Sequence, residues 1–190
     1  RNESGFSNEV SGRASENGQI IWRNTATGQN VVWYMKGIKW TGGWTYLSTV
    51  SDPNWSILGV ADFTGEGKQD LLWRNASTGR TTIWHMNDEW TSGYTDLSPA
   101  VSDPNWTVVG VADFNGDGKS DILWRNGATG QVTVWFMNGA RWTGGYADLF
   151  PVVSDLSWGI VGVADFNGDG KPDILWRNNA TGQKLVWYLD

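Results

Sequence analysis

The sequence contains no cysteine and only one histidine, His85. Without cysteine it can form no disulfide, no thiolate nucleophile and no cysteine-ligated zinc site, although that absence does not fix a compartment. Basic residues are in the minority, 14 Lys and Arg against 20 Asp and Glu, giving a net charge of −6. Such a balance excludes partners recognised through phosphate, both nucleic acid and anionic membrane surfaces, and suits a bound divalent cation. No apolar run approaches a membrane span, so membrane insertion is not expected. Capped segments with a helical 3.6-residue stripe are also missing. The chain does not begin with Met and shows no signal peptide, and reads as a processed or excised piece of something longer.

Tryptophan and glycine are abundant, at 15 and 25 of 190 residues. Repetition explains the tryptophan. Trp-Arg-Asn occurs at Trp22-Arg23-Asn24, Trp73-Arg74-Asn75, Trp124-Arg125-Asn126 and Trp176-Arg177-Asn178, spaced by 51, 51 and 52 residues. A second series follows at Trp33, Trp84, Trp135 and Trp187, a third at Trp40, Trp90 and Trp142, a fourth at Trp55, Trp106 and Trp158. A fifth position holds Trp44, Tyr94 and Tyr146. These series contain every Trp, so the excess needs neither a cofactor nor nucleic acid to account for it.

The third repeat shows the plan of each unit. Trp106–Asp113 is apolar and β-branched, as a strand requires. A polar, Gly-rich loop runs from Asp113 to Asp121. A second strand ends at Asn126, Gly127–Gly130 is a turn, and Gln131–Met137 is a third strand. Asn138-Gly139 signals a tight hairpin into an outer strand, Arg141–Leu149. On the third strand Val134 and Phe136 lie on one face and Trp135 and Met137 on the other. A sheet apolar on both faces must be sandwiched between neighbours. The fold expected is all-β, a β-propeller of four-stranded antiparallel blades, with repeats at 19–50, 51–101, 102–153 and 154–190. About four blades suit a small ring, part of a larger one, or a homodimer completing a larger ring.

Repeat one shows no full first strand before Trp22, and repeat four stops after its third. Residues 1–18 are expected to be a linker or the remnant of an upstream domain. Within residues 1–11, Ser4-Gly5-Phe6 matches Ser92-Gly93-Tyr94 of an outer strand and could close a ring. The same segment resembles the last strand of a fibronectin type III domain.

The loops after the first strands carry the candidate chemistry. Asp113, Asn115, Asp117 and Asp121 place side-chain oxygens at loop positions 1, 3, 5 and 9, and Lys119 offers its backbone carbonyl at position 7. Asp165, Asn167, Asp169, Lys171 and Asp173 repeat this arrangement. Calcium needs six to eight oxygens at about 2.3–2.6 Å, glycines permit the tight wrap, and carboxylates this close repel without a cation. The earlier loop, Asp62, Thr64, Glu66, Lys68 and Asp70, is a degraded version. Magnesium is disfavoured, because it dehydrates reluctantly and rarely accepts an all-protein cage.

The string Gly-Val-Ala-Asp-Phe-Asn-Gly-Asp-Gly-Lys-Pro-Asp-Ile-Leu-Trp-Arg-Asn at 162–178 resembles the FG-GAP/VCBS repeat, the calcium-binding blade of integrin α-chain heads and of many secreted bacterial proteins. A fungal propeller lectin has similar blades. The resemblance covers about 19–190 and implies a propeller with Ca²⁺ at Asp113, Asn115, Asp117 and Asp121, and at Asp165, Asn167, Asp169 and Asp173. Two departures stand out: such propellers usually have six to eight blades, and repeat one lacks the loop.

Catalysis is not expected. His85 occupies the position of Tyr34, Phe136 and Tyr188 and reads as a packing variant, which leaves no nucleophile–base set. The only paired carboxylates lie inside the Asp loops. The Arg of Trp-Arg-Asn reads as stacking on an aromatic ring or pairing with an Asp. Around the outer strands lie Trp40 with Trp44, Trp90 with Tyr94, and Trp142 with Tyr146. These rings either fill gaps between blades or stack on sugar rings. The functional expectation is therefore a non-catalytic, calcium-stabilised module of a secreted multidomain protein that binds a polysaccharide or glycan. A protein-interaction or adhesion module and a structural spacer are the alternatives.

Overall fold

The computed structural model describes residues 9–11, 18–87 and 91–190. Ser4-Gly5-Phe6 and Trp90 lie outside these residues. The chain divides into two compact units, 1–100 and 101–190, each built from two sheets.

In the first unit one sheet holds β1 (Glu9–Ser11), β2 (Gln19–Arg23), β3 (Asn30–Lys36) and β4 (Lys39–Leu47). The next holds β5 (Trp55–Ala61), β6 (Asp70–Asn75), β7 (Thr81–Met86) and β8 (Thr91–Asp96). The second unit holds a four-stranded sheet of β9 (Trp106–Ala112), β10 (Asp121–Asn126), β11 (Val132–Asn138) and β12 (Arg141–Leu149). It ends in a three-stranded sheet of β13 (Trp158–Ala164), β14 (Asp173–Asn178) and β15 (Lys184–Trp187). Neighbours are sequential and antiparallel throughout. No helix occurs among the described residues. These sheets are the propeller blades that the repeat length and strand pattern predict.

Two details differ from the sequence reading. The first-strand position of the first blade is filled by the three residues Glu9–Ser11, paired with Ile20–Trp22. That segment lies within the stretch read as a linker or upstream remnant. The hairpin at Asn138-Gly139 turns one residue later than the dipeptide suggests. Asn138 is still paired, with Arg141, and the loop is Gly139-Ala140. Gly139 takes φ +63° and Gly37 of the first blade takes φ +56°, and this left-handed conformation at the first loop position is what glycine supplies.

Each core lies between two blades. Ile21, Val32 and Leu47 of the first blade close on Ile57, Leu71, Trp73 and Met86 of the second. In the second unit Leu123, Val132 and Val134 close on Ile174 and Trp176. Both faces of the third strand are used, as the unbroken apolar run requires. Within a blade the tryptophans pack in a row. Centroid distances are 5.0 Å for Trp22–Trp33, 4.8 Å for Trp73–Trp84, 5.3 Å for Trp124–Trp135 and 5.0 Å for Trp176–Trp187.

Trp-Arg-Asn divides into three tasks. The Trp is core. The Arg joins blades: the Arg23 guanidinium lies 5.0 Å from the Trp73 ring centroid and Arg125 lies 4.7 Å from that of Trp176. Arg23 also donates to the carbonyls of Gly28 (3.3 Å) and Val50 (2.9 Å), tying its blade to the link into the next. Of the two roles the sequence left open for this Arg, stacking on a ring or pairing with an Asp, the structure shows stacking for Arg23 and Arg125. The Asn side chain organises the following turn, with Asn126 Oδ1 accepting from the amides of Ala128 (2.9 Å) and Thr129 (3.0 Å). The glycine ending that turn is sterically required in the first and third blades. A Cβ on Gly28 would sit 2.2 Å from the Val50 carbonyl oxygen, and one on Gly130 would sit 2.0 Å from that of Val153.

Candidate functional site

Two sets of residues make up the candidate site: the Asp loops joining the first and second strands of a blade, and the aromatic rings of the outer strands.

In the third blade the loop wraps around its first residue. Asp113 Oδ1 accepts from the amides of Gly116 (2.8 Å) and Asp117 (3.1 Å), and Oδ2 from that of Gly118 (2.7 Å). Gly116 and Gly118 adopt φ of +76° and +82° to turn those amides inward. Asn115 Oδ1 accepts from the Asp117 amide (2.9 Å), and its Nδ2 donates to Asp117 Oδ2 (3.3 Å). Asp117 Oδ1 accepts from the Lys119 amide (2.9 Å), and Lys119 Nζ reaches Asn138 Oδ1 (2.8 Å). The fourth blade repeats the wrap around Asp165 through Gly168, Asp169 and Gly170. There Asn167 bonds Asp169 and the Lys171 amide donates to it.

The ninth position behaves differently. Asp121 is fully buried. One oxygen accepts from the Phe114 amide (3.0 Å), the other from the Met137 amide on the third strand (2.8 Å). Asp173 makes the same two links, to Phe166 (2.8 Å) and Leu189 (3.1 Å). Asp70 bonds Phe63, Thr64 and Met86. This carboxylate pins the loop to the third strand. Burial pushes the Asp70 and Asp121 carboxyls above the usual carboxylate range, and for Asp121 the charges of Asp117 and Asp113 add to that push. By contrast, the Lys171 amide and the Asn167 side chain hold exposed Asp169 below it.

Spacing places Asp121 beside the other loop oxygens, whereas the structure commits it to backbone amides. Among the described residues no three carboxylates or imidazoles converge into a finished cation cage. The donor chemistry nonetheless fits a hard cation. Positions 1, 3 and 5 bring carboxylate and amide oxygens onto one exposed turn; Asp113 Oδ1 takes two amides, whereas Asp113 Oδ2, Asn115 Oδ1 and the two Asp117 oxygens each take one hydrogen bond and keep a second lone pair.

The second-blade loop keeps the frame with Thr64 and Glu66 where the later loops have Asn and Asp. Asp62 accepts from Gly65 (2.7 Å), Glu66 (3.1 Å) and Gly67 (2.7 Å). Thr64 reaches it only at 3.5 Å.

The outer-strand rings divide into two groups. Trp40 stacks on Trp33 at 5.1 Å and donates its Nε1 hydrogen to the Gly43 carbonyl (3.0 Å). Trp142 stacks on Trp135 at 4.6 Å and donates to Gly145 (2.9 Å). Both are fixed by their own blade. Tyr94 and Tyr146 stand further out, at 62% and 61% exposed, whereas Trp44, at 50%, is no more exposed than Trp40 at 49%. Tyr46, overlooked in the sequence because its repeat equivalents are Asp96 and Asp148, adds an edge contact to Trp44 at 4.6 Å. His85 Nε2 lies 2.8 Å from Thr95 Oγ1, just as the Tyr34 hydroxyl lies 3.0 Å from Thr45 Oγ1. The histidine makes the tyrosine's cross-strand contact.

Four sequential antiparallel sheets, packed face to face in pairs, all carrying the Trp-Arg-Asn turn and three of them the same loop, define the class: β-propeller blades. The FG-GAP-like repeat family matches residues 62–124 and 113–176, each match running from one Asp loop into the next blade. The chain belongs to this FG-GAP-like repeat family. No curated protein matches it significantly. Repeats of this kind mark a propeller-like binding or adhesion module.

Proposed function

We propose that the chain is a non-catalytic binding module of a secreted multidomain protein, that its ligand is carbohydrate, and that calcium in the Asp113 and Asp165 loops stabilises it. The observation behind the carbohydrate reading is the exposure of Trp44, Tyr46, Tyr94 and Tyr146, between 50% and 62%, in a chain that buries Trp73, Trp124 and Trp176. Leaving large rings in water forgoes burial worth about 1.5–3 kcal/mol per side chain. Flat rings beside hydroxyls and carboxylates suit the apolar face and polar rim of a pyranose. The calcium reading rests on the donor set of the two loops, which would hold the ion through Asp113, Asn115 and Asp117 and through Asp165, Asn167 and Asp169. The ion would supply the positive charge that these clustered carboxylates lack. The absence of catalysis rests on His85 serving as a cross-strand packing group.

Retention on insoluble cellulose, chitin, xylan and mannan, with and without chelator, tests the proposal. Binding is expected to be displaced by the matching soluble sugar and weakened in Trp44→Ala and Tyr146→Ala without loss of fold. No retention on any polysaccharide would overturn the carbohydrate reading and favour adhesion to protein.

A further inference from the structure

The second blade carries a feature absent from the other blades. Arg80 stands where the other repeats have Gln29, Gln131 and Gln183. Its guanidinium grips both oxygens of Asp96, Nε to Oδ1 at 3.0 Å and a terminal nitrogen to Oδ2 at 2.7 Å. The pair is half exposed, 48% for Arg80 and 42% for Asp96. The Arg80 Cζ lies 5.8 Å from the Trp55 ring centroid and 6.0 Å from that of Tyr94. Trp84 faces Tyr94 across the strands. Arg80, Trp55, Trp84 and Tyr94 border an open groove of about 260 Å³ reaching in to Trp73, and Arg80 holds Asp96 beside that groove, outside its lining. In the third blade the equivalent carboxylate, Asp148, takes the hydroxyl of Thr133 instead.

We infer that this groove is a single carbohydrate subsite taking one neutral hexopyranose unit through adjacent hydroxyls. The inference rests on the carbohydrate reading above and deepens it. The ion pair spends two of five guanidinium hydrogens on Asp96, while the carboxylate retains spare lone pairs. Donor and acceptor therefore sit side by side in fixed geometry. Two neighbouring sugar hydroxyls, each able to give and accept, complement them. Trp55, Trp84 and Tyr94 supply the apolar walls that cover the ring's C–H face. Mutual neutralisation of Arg80 and Asp96 leaves no net charge for an anionic sugar, and the chain's charge of −6 works against one. The volume falls below the roughly 300 Å³ at which pockets for drug-sized molecules begin, which fits one ring rather than several. Specificity then resides in one blade, whereas the outer aromatic pairs recur in every complete repeat.

Calorimetric titration with cellohexaose, xylohexaose, mannohexaose and chitohexaose, with polygalacturonate as the anionic arm, tests this in the full chain. Arg80→Gln installs the residue of the other blades. It should weaken binding of whichever neutral oligosaccharide the unchanged protein takes by about ten-fold or more, the value of a lost charge-assisted hydrogen bond. Tyr94→Ala should do the same, and both losses should exceed those in Trp44→Ala and Tyr146→Ala. The indole N–H resonances of Trp55 and Trp84 should shift on titration. Unchanged affinity in Arg80→Gln and Tyr94→Ala, with loss in Trp44→Ala or Tyr146→Ala, would overturn the groove and leave the carbohydrate reading standing. Tighter binding of polygalacturonate would overturn the ligand class. No binding of any probe would overturn the subsite together with the reading beneath it.

Discussion

In the second blade the loop wraps Asp62 with the amides of Gly65, Glu66 and Gly67, and in the third the loop wraps Asp113 with those of Gly116, Asp117 and Gly118. Both close on a buried ninth-position Asp that reaches the third strand, Asp70 to Met86 and Asp121 to Met137. Yet Thr64 and Glu66 replace Asn115 and Asp117. The comparison separates two jobs that the spacing merges. Positions 1 and 9 and the glycines are common to both loops and hold the frame. Positions 3 and 5 lie exposed on that frame and decide which cation it would take. The loop's shape therefore does not depend on Asn and Asp at positions 3 and 5.

The largest expected effect lies at the buried position. Asp121→Ala leaves the amides of Phe114 and Met137 without acceptors, and each buried orphan costs about 1–3 kcal/mol. A loss of about 2–5 kcal/mol should appear in urea unfolding with chelator present. Under the same conditions the exposed substitution Asp117→Ala should stay within about 0.5 kcal/mol. Equal losses would break the distinction between frame and donors.

Next in size is calcium. At a hundred times its dissociation constant one ion stabilises the fold by about 2.7 kcal/mol, so chelator should lower Tm. Asp117→Ala combined with Asp169→Ala should remove most of that dependence. Converting the second loop with Thr64→Asn and Glu66→Asp should increase it, because the frame is already in place. A melt indifferent to chelator would overturn the calcium reading.

The smallest effect is a control outside the loops. The amide and side chain of Asn54, with help from Asn75 and Arg23, hold the Asp52 carboxyl below the usual carboxylate range. A depressed native value means stability that is present above the unfolded pKa and lost as pH falls through the native one. Asp52→Asn should flatten the acid limb of the stability–pH curve slightly. If that limb instead disappears only in the loop variants, exposed loop carboxylates rather than the link between blades control acid sensitivity.

Much of this protein was legible in its residues. The tryptophan series fixed the repeat, and β-branched runs separated by Gly-rich turns fixed the strands, because strand patterning and turn chemistry are local properties. The all-β class and the blade plan followed from these alone, whereas the arginine of Trp-Arg-Asn was left between stacking on a ring and pairing with an Asp. Three things required the tertiary structure. Whether Asp121 faces a cation or the Met137 amide depends on the third strand, which reaches it sixteen residues along the chain. Trp40 and Trp142 read as equals of Trp44 and Tyr146 until a register shift on the third strand sets them against Trp33 and Trp135. Arg80 and Asp96, also sixteen residues apart, become a pair only because Thr82 lies opposite Asp96 on the neighbouring strand. Sequence specifies which side chains are present and how often they recur. The antiparallel register decides which of them meet, since shifting a strand by one residue turns every side chain to the other face.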